Sequence, residues 1–163
     1  MKAASVGLVT VGYHSEGEWP GFFRSLEYST LQPEAIVVVD NSESTPTSLD
    51  GLSKAPITVL HEPRNLGYGA AANLGVRELP AGIEWVVVCN PDIRLEPDTL
   101  KVLLAERDAL ARTGVLGPGV LTSRGELFPS ARAIPGIRIG IGHALFSKVW
   151  PQNPWSAAYL GTY

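Results

Sequence analysis

Cysteine is almost absent from this sequence: Cys89 is the single one among 163 residues. One cysteine cannot form an intramolecular disulfide framework or a cluster of thiolates around zinc. It fits a protein of a reducing compartment. Because Cys89 lies inside an apolar run, we expect an inert, buried thiol.

Long apolar runs are also missing. No stretch approaches the roughly 20 apolar residues of a membrane-spanning helix, and residues 1–13 lack the pattern of a signal peptide. Yet 45% of the residues are hydrophobic and 18% are charged, which is too apolar a composition for a disordered chain. Length and composition therefore predict a single soluble, cytoplasmic globular domain.

The chain has no excess of basic residues either. Its net charge is −3, which disfavours non-specific binding to DNA or RNA, so no nucleic-acid partner is expected. Residues 1–123 carry 9 basic and 15 acidic side chains, whereas residues 124–163 carry 4 basic and 1 acidic. The net charge thus changes from −6 to +3 where glycine, proline and tryptophan become frequent. We place a boundary between residues 122 and 123.

What the sequence does contain is a regular alternation of apolar and amphipathic segments. The apolar runs predict strands at residues 5–11, 35–39, 57–60, 84–89, 115–121 and 127–134. The segments between them predict helices at residues 15–29, 67–79 and 97–112. Ser15 and Glu18 have capping-box spacing, but Pro20 also suits a later helix start, near Glu18. This order predicts right-handed βαβ units and a mostly parallel sheet with helices on both faces.

Polar residues follow three of these strands, at positions 10–14, 40–42 and 90–92. Such sheets bind ligands at the carboxyl ends of their strands. The Asp40 carboxylate could accept the imide N–H of uracil or thymine, or a ribose hydroxyl; the alternative is an Asx-turn that ends the strand. Asp92, with Asn90 beside it, could hold a hard cation such as Mg²⁺ or Mn²⁺ against phosphate oxygens. A turn or cap role is the alternative there.

The most specific run is NLGYGAAANLG at residues 65–75. Gly67 and Gly69 permit backbone turns that are closed to other residues. They open a predicted helix whose N-terminus could face a diphosphate. The run is neither a Walker P-loop nor a Rossmann fingerprint, and an ordinary loop-to-helix entry is the alternative.

A few further side chains are candidates for ligand contacts. Tyr13 could stack on a base, and His14 could bind phosphate. His61 and His143 have no partners at metal-ligand spacing, so we expect them to be hydrogen-bonded or solvated. Three arginines could form a cationic face for a diphosphate or an acceptor, with a solvated surface as the alternative: Arg124, Arg132 and Arg138.

Together these runs resemble the family-2 glycosyltransferases of the GT-A fold, most closely their bacterial rhamnosyltransferase-like branch. The resemblance rests on LVTVGY at 8–13, VVVDNS at 37–42, the run at 65–75, CNPDI at 89–93, LGPG at 116–119 and LFPSAR at 127–132. Order and spacing agree over residues 6–132. The resemblance implies a GT-A (Rossmann-like) α/β fold. It also implies a nucleotide-sugar-binding region at 1–122 and the start of an acceptor-side region at 123–163.

The resemblance implies site roles position by position. Thr10 and Tyr13 would border the base and ribose, and Asp40 would contact the base. Asp92 corresponds to the last acid of the family's Asp-x-Asp metal motif, whose first position is Asn90 here, so one carboxylate remains for Mg²⁺ or Mn²⁺. The full implied set of nucleotide-sugar-binding residues is Thr10, Tyr13, Asp40, Asn65, Gly67, Asn73, Asn90 and Arg132.

The implied activity is inverting transfer of a sugar such as rhamnose from a UDP- or dTDP-sugar. The acceptor would be a glycan or lipid-linked precursor of a cell-surface polysaccharide or glycolipid, met in the cytoplasm or at the inner face of the membrane. In the family an aspartate well downstream of the metal motif is the general base, whereas the last acidic residue here is Glu126. We therefore expect a donor-binding half, truncated before the acceptor half and inactive alone.

Two alternatives belong to other classes. The missing base favours a non-catalytic nucleotide-sugar-binding module. A nucleotidyltransferase is less well supported, because residues 12–18 lack the basic, glycine-rich loop of those enzymes. Trp150, Trp155 and Tyr159 also predict exposed apolar surface near the end of the chain, which could drive homo-oligomerisation or touch a membrane.

Overall fold

The computed structural model describes residues 4–43, 48–107, 113–128, 130 and 136–160. The chain divides into two compact units, Met1–Leu116 and Gly117–Tyr163. The first holds a four-stranded sheet with helices, and the second holds a two-stranded hairpin and two helices. The functional division between residues 122 and 123 stays a prediction.

The first unit is an α/β layer structure, which confirms the predicted fold class. Its strands are β1 (Val6–Gly12), β2 (Ala35–Asp40), β3 (Ile57–His61) and β4 (Trp85–Cys89). Its helices are α1 (Trp19–Glu27), α2 (Tyr68–Arg77) and α3 (Thr99–Arg107). The strand order is β3-β2-β1-β4, and all three pairings are parallel. These four strands agree with the predicted ones to within one residue.

The two central strands are buried on both faces. Successive side chains of β1 and β2 point to opposite faces, so each strand needs an apolar residue at nearly every position. On one face Leu8, Ile36 and Val38 lie in a cluster with the α1 side chains Trp19, Phe22, Phe23 and Leu26. On the other face the sheet packs against Ala71 and Ala72 of α2 through Val9, Val11, Val37 and Val39.

The two edge strands are less covered than predicted. Val59 on β3 is 37% exposed, and Val88 on β4 is 44% exposed. Helices on both faces therefore fit β1 and β2 fully, whereas β3 and β4 each leave some side chains partly exposed. The sequence pattern did not separate these cases, because valine and isoleucine favour central and edge strands alike.

The first helix begins at Trp19, as Pro20 in its first turn indicates. Glu18 is the N-cap residue and makes no side-chain cap hydrogen bond. The Ser15 hydroxyl instead accepts the N–H of Tyr13 at 3.1 Å. The capping box predicted between Ser15 and Glu18 is therefore wrong, and the alternative start near Glu18 is confirmed.

The predicted strand at 115–121 is mostly wrong. Val115 is 90% exposed, and only β5 (Val120–Leu121) forms, paired antiparallel with β6 (Leu127–Phe128). Glycine and proline at 117–119 interrupt the apolar run, and proline has no N–H for a ladder. Beyond β6, the rest of the predicted strand 127–134 lies outside the described residues apart from residue 130, as do residues 108–112 of the predicted third helix.

The second unit closes with a helical pair, α4 (Ile137–Phe146) and α5 (Pro154–Leu160). The Trp155 ring stacks on Phe146 with centroids 5.3 Å apart. His143 stacks on Tyr159, and its Nδ1 lies 3.0 Å from the Ser156 hydroxyl. His143 is thus hydrogen-bonded, as predicted. No helix among the described residues is long and apolar enough to cross a membrane.

The contact of α2 with the sheet predicts an asymmetric response to two glycine substitutions. A Cβ at Gly75 would lie 2.5 Å from Val9 Cγ1 and 3.1 Å from Val39 Cγ2. Gly75→Ala should therefore lower the free energy of unfolding by about 1–3 kcal/mol through overpacking. Urea denaturation followed by circular dichroism measures the effect.

Gly69→Ala is the matched control in the same helix. A Cβ at Gly69 would have no atom within 4 Å, so this change should leave stability unchanged or raise it by up to roughly 1 kcal/mol. Equal stabilities for the two variants would contradict the packing described here.

Candidate functional site

The register of the sheet brings three strand ends to one edge. Gly12 at the end of β1 lies opposite Asp40 at the end of β2. Cys89, which ends β4, lies opposite Thr10 of β1. The segments that follow β1, β2 and β4 therefore leave the sheet at the same edge, where parallel sheets bind ligands.

A cleft of about 380 Å³ lies at this edge, a volume in the range of small-molecule sites. The structure brings five of the predicted site residues together in its lining: Tyr13, Asn65, Gly67, Asn90 and Asp92. Sequence reasoning did not assign the other lining residues to the site: Val11, Ser15, Asn41, Tyr68 and Pro91.

The remaining predicted residues lie elsewhere. Thr10 is fully buried inside β1, and Asp40 is 2% exposed; neither lines the cleft. Asn73 is exposed on α2, also away from the lining. Arg132 lies outside the described residues.

Asp40 is held beneath the edge by its neighbours. Its Oδ1 accepts the N–H of Ser42 at 3.2 Å, which is the local turn geometry of an aspartate that ends a strand. Its Oδ2 lies 3.6 Å from Nδ1 of His61 on β3. The Ser42 hydroxyl in turn accepts the N–H of His14 at 2.9 Å. Asp40 thus organises the chain that leaves β2 and joins it to the loop after β1.

Asn41 connects the end of β2 to the loop before α2. Its Nδ2 donates to Oδ1 of Asn65 at 2.7 Å, and its Oδ1 accepts the N–H of Leu66 at 3.0 Å. Asn65 Oδ1 also accepts the N–H of Gly67 at 2.9 Å. We call Asn41 and Asn65 the asparagine clamp. The sequence shows an asparagine directly after a buried strand, which marks a candidate support for the loop. It does not show the hydrogen-bond partner, which lies 24 residues away and is brought close by tertiary structure.

Gly67 is the N-cap residue of α2 and has φ +76°. No atom lies within 4 Å of where a Cβ would be, so the backbone conformation, and not crowding, requires glycine here. Because Gly67 and Tyr68 line the cleft, the N-terminus of α2 borders it. The first N–H groups of a helix have no partner within the helix, and they favour an anion.

The cleft is acidic in its titratable side chains. Among the described residues, Asp92 is the one carboxylate in the lining, and no lysine or arginine lines it. Burial raises the pKa of Tyr68, and the nearby Cys89 and Asp92 raise it further. Within the described lining, an anionic ligand would meet the N-terminus of α2 and no cationic side chain.

Asp92 is a candidate ligand for a cation that phosphate oxygens would help to hold. Within the described ranges, no group of three or more His, Cys, Asp or Glu side chains could hold a metal ion. Hard divalent cations commonly take one or two carboxylates, with phosphate oxygens and water completing the shell. One carboxylate at Asp92 and an amide at Asn90 fit that pattern.

Cys89 ends β4 at the same sheet edge but does not line the cleft. Burial raises the pKa of its thiol to about 12. The reactive thiolate is therefore almost absent at neutral pH. The raised pKa agrees with the predicted inert thiol, but the residue is partly exposed and not fully buried as predicted.

Comparison with protein families gives one match over most of the chain. Residues 12–149 match the family model described as glycosyl transferase family 2. The chain is also similar to N-acetylglucosaminyl-diphospho-decaprenol L-rhamnosyltransferase from two strains of Mycobacterium tuberculosis, with 32% identity over 162 residues. That alignment covers 93% of this chain and 53% of the relative, so the chain spans about half the length of the curated relatives it matches.

A solved structure shows the same fold. The crystal structure of S. aureus TarS 1-349 is similar with a TM-score of 0.55 and 25% sequence identity. The match covers 73% of this chain and 39% of that one.

The asparagine clamp predicts a local loss of protection. Asn41→Ala removes both side-chain hydrogen bonds and leaves the Leu66 N–H and the Asn65 side chain without this partner, at a cost of about 0.5–1.5 kcal/mol for each bond. Hydrogen exchange at the Leu66 and Gly67 amides should then accelerate at least tenfold, beyond any change in the strands. Asn73→Ala, the same change on the exposed side of α2, should leave both rates unchanged. Unaltered exchange in Asn41→Ala would show that the clamp does not order the loop.

Proposed function

Because the chain belongs to glycosyl transferase family 2, we propose that the cleft at the sheet edge binds the nucleoside diphosphate of a sugar donor. This proposal rests on one observation: the N-terminus of α2 and the Asp92 side chain line the same cleft. The first supplies unpaired N–H groups for phosphate oxygens, and the second supplies a ligand for a cation. The resemblance read from the sequence motifs is confirmed at the level of the family.

We propose that the base lies towards Tyr13, with uracil or thymine as its type. Tyr13 lines the cleft and is 49% exposed, so its ring is open to stacking. Asp40 remains our candidate for the imide N–H, because its carboxylate lies at the end of β2, beside Asn41 of the lining. The buried position of Asp40 also gives it a second task, holding Ser42 in place.

We propose Mg²⁺ or Mn²⁺ as the cofactor, held by Asp92 with Asn90 nearby. When bound, the cation would neutralise charge that develops on the leaving diphosphate. The protein's own part is to place Gly67 and the first turn of α2 against the phosphates. The absence of lysine and arginine from the described lining supports a cation in this role.

For the complete reaction we propose inverting transfer of a sugar such as L-rhamnose to a lipid-linked glycan in cell-surface polysaccharide or glycolipid synthesis. Support comes from the mycobacterial relatives, whose name specifies an L-rhamnosyl group and an N-acetylglucosaminyl-diphospho-decaprenol acceptor. The acceptor hydroxyl would displace the nucleoside diphosphate from the anomeric carbon, and its proton would pass to a general base. We propose the cytoplasmic side of the membrane as the place of action.

A donor-binding module without transferase activity is the second candidate function. Asp92 is the one carboxylate in the described lining, and our proposal assigns it to the cation. No aspartate or glutamate follows Glu126 in the 163 residues. The 163 residues would then bind donor without supplying the base.

The donor proposal predicts metal-dependent stabilisation by nucleotide. UDP or dTDP at about 100 times its dissociation constant should raise the free energy of unfolding by about 2.7 kcal/mol, seen as a higher Tm. The rise should need Mn²⁺ or Mg²⁺. Asp92→Asn should remove the metal-dependent part while leaving the Tm of the free protein within a degree or two.

Glu96→Gln is the control, since it neutralises an exposed carboxylate outside the cleft lining; it should respond to nucleotide and metal like the unmodified chain. If neither nucleotide stabilises the chain with either metal, the donor site is elsewhere or absent.

The two candidate functions separate in a transfer assay. We expect the chain to bind UDP or dTDP and to release no nucleoside diphosphate from a UDP- or dTDP-sugar in the presence of a lipid-linked acceptor, because no base is assigned. Mass spectrometry of the acceptor measures the outcome. Robust transfer would refute the binding module, and the new base would then have to lie among Asp40, Asp92 and the other carboxylates up to Glu126.

A further inference from the structure

Helix α4 carries a stripe of exposed aliphatic side chains on one side. The four residues are spaced four apart, so they follow one another along one face of a helical path. Their exposed fractions are 82% for Ile137, 55% for Ile141, 64% for Leu145 and 83% for Val149, which lies in the turn after the helix. We call these four residues the α4 stripe. At 1.5 Å per residue it is roughly 18 Å long.

The opposite side of α4 already has its partner. Gly142 lies against the Trp155 ring, Phe146 stacks on the same ring, and His143 stacks on Tyr159. Trp155 and Tyr159 thus contact α4 on one side and still keep 38% and 37% of their surface exposed, as the sequence predicted. The α4 stripe adds further exposed apolar surface, with Trp150 beside its end at 53% exposure.

The charges around the stripe are of one sign. Arg138 follows Ile137 in the sequence, Lys148 precedes Val149, and both are exposed. A rotation of 100° per residue places Arg138 on the side of the stripe, and Lys148 lies next to Val149 in the turn after the helix. Residues 127–163 contain no aspartate or glutamate, so nothing in this part of the sequence offsets the two cations.

An aliphatic stripe bordered by cations is complementary to an anionic bilayer surface. The side chains can enter the boundary between headgroups and acyl chains, while arginine and lysine reach the phosphates. Tryptophan favours the same interfacial depth. We propose that the α4 stripe docks the protein on membranes that contain anionic phospholipid, with α4 lying in the plane of the surface. This inference does not depend on the donor site.

Vesicle sedimentation tests the docking without nucleotide or metal. The unmodified protein should partition to vesicles of phosphatidylglycerol and phosphatidylcholine, and should be released as salt rises from 50 to 500 mM. It should bind pure phosphatidylcholine at least about tenfold more weakly, since each cation near an anionic surface adds to the affinity.

Paired variants identify the surface. The double change Ile141→Ser and Leu145→Ser should lower partitioning at least tenfold, and Arg138→Gln with Lys148→Gln should lower it by about tenfold and flatten the salt dependence. The aliphatic control is Val102→Ser with Val115→Ser, and the charge control is Arg24→Gln with Lys101→Gln. All four control positions are exposed in the first unit, so both controls should bind as the unmodified protein does.

Tryptophan quenching tests the docking with the α4 stripe unchanged, so the result does not depend on whether the stripe variants fold. Brominated phosphatidylglycerol should quench tryptophan fluorescence in the bound protein, and Trp150→Phe should remove most of the quenching. The proposal is overturned if anionic vesicles bind no better than neutral ones. It is also overturned if Ile141→Ser with Leu145→Ser converts a dimer to a monomer in analytical ultracentrifugation while vesicle partitioning stays unchanged, because the stripe would then cover a second copy.

Discussion

The parallel pairing of β1 with β2 and β4 is the constraint on which the rest of the first unit depends. Parallel strands place their carboxyl ends at one edge, and the register of Gly12 with Asp40 makes those ends nearly level. Such pairing is stable when both faces of the strands are buried. Aromatic side chains of α1 cover one face, and small residues of α2 cover the other. Close approach of α2 at Gly75 then sets where the N-terminus of α2 begins.

Everything in the cleft follows from that arrangement. The strand ends deliver Tyr13, Asn41 and Asp92 on three separate segments. The asparagine clamp then fixes the loop that leads to Gly67. The polar side chains at the edge thus have two tasks. Asp40 and Asn41 hold loops in place, while Asp92 and the first turn of α2 face the open cleft. Buried, hydrogen-bonded supports of this kind let a site on loops keep a defined geometry.

The sequence predicted the sheet better than the regions around it. Apolar runs marked all four parallel strands, although only the central strands β1 and β2 are buried throughout. The same logic failed at Val115, where an apolar run is broken by glycine and proline and lies exposed. The special backbone conformation predicted at Gly67 is confirmed, whereas the one predicted at Gly69 is wrong, because Gly69 lies inside α2 without a positive φ. The pairing of Asn41 with Asn65 was not predictable, since it joins residues 24 positions apart and depends on the packing of α2. Likewise, an exposed face of α4 emerges only once Trp155 and Tyr159 are seen to cover the other side.

The central claim is that the cleft at the sheet edge receives a nucleoside diphosphate together with a divalent cation. Paramagnetic broadening of amide resonances by Mn²⁺ in the presence of UDP or dTDP tests this most directly, because it reports distance from the bound ion. The account predicts selective broadening at Gly67, Tyr68, Asn90 and Asp92, with little effect at Lys54 near the opposite end of the sheet. Broadening centred on Lys54, or uniform broadening with no dependence on nucleotide, would contradict it.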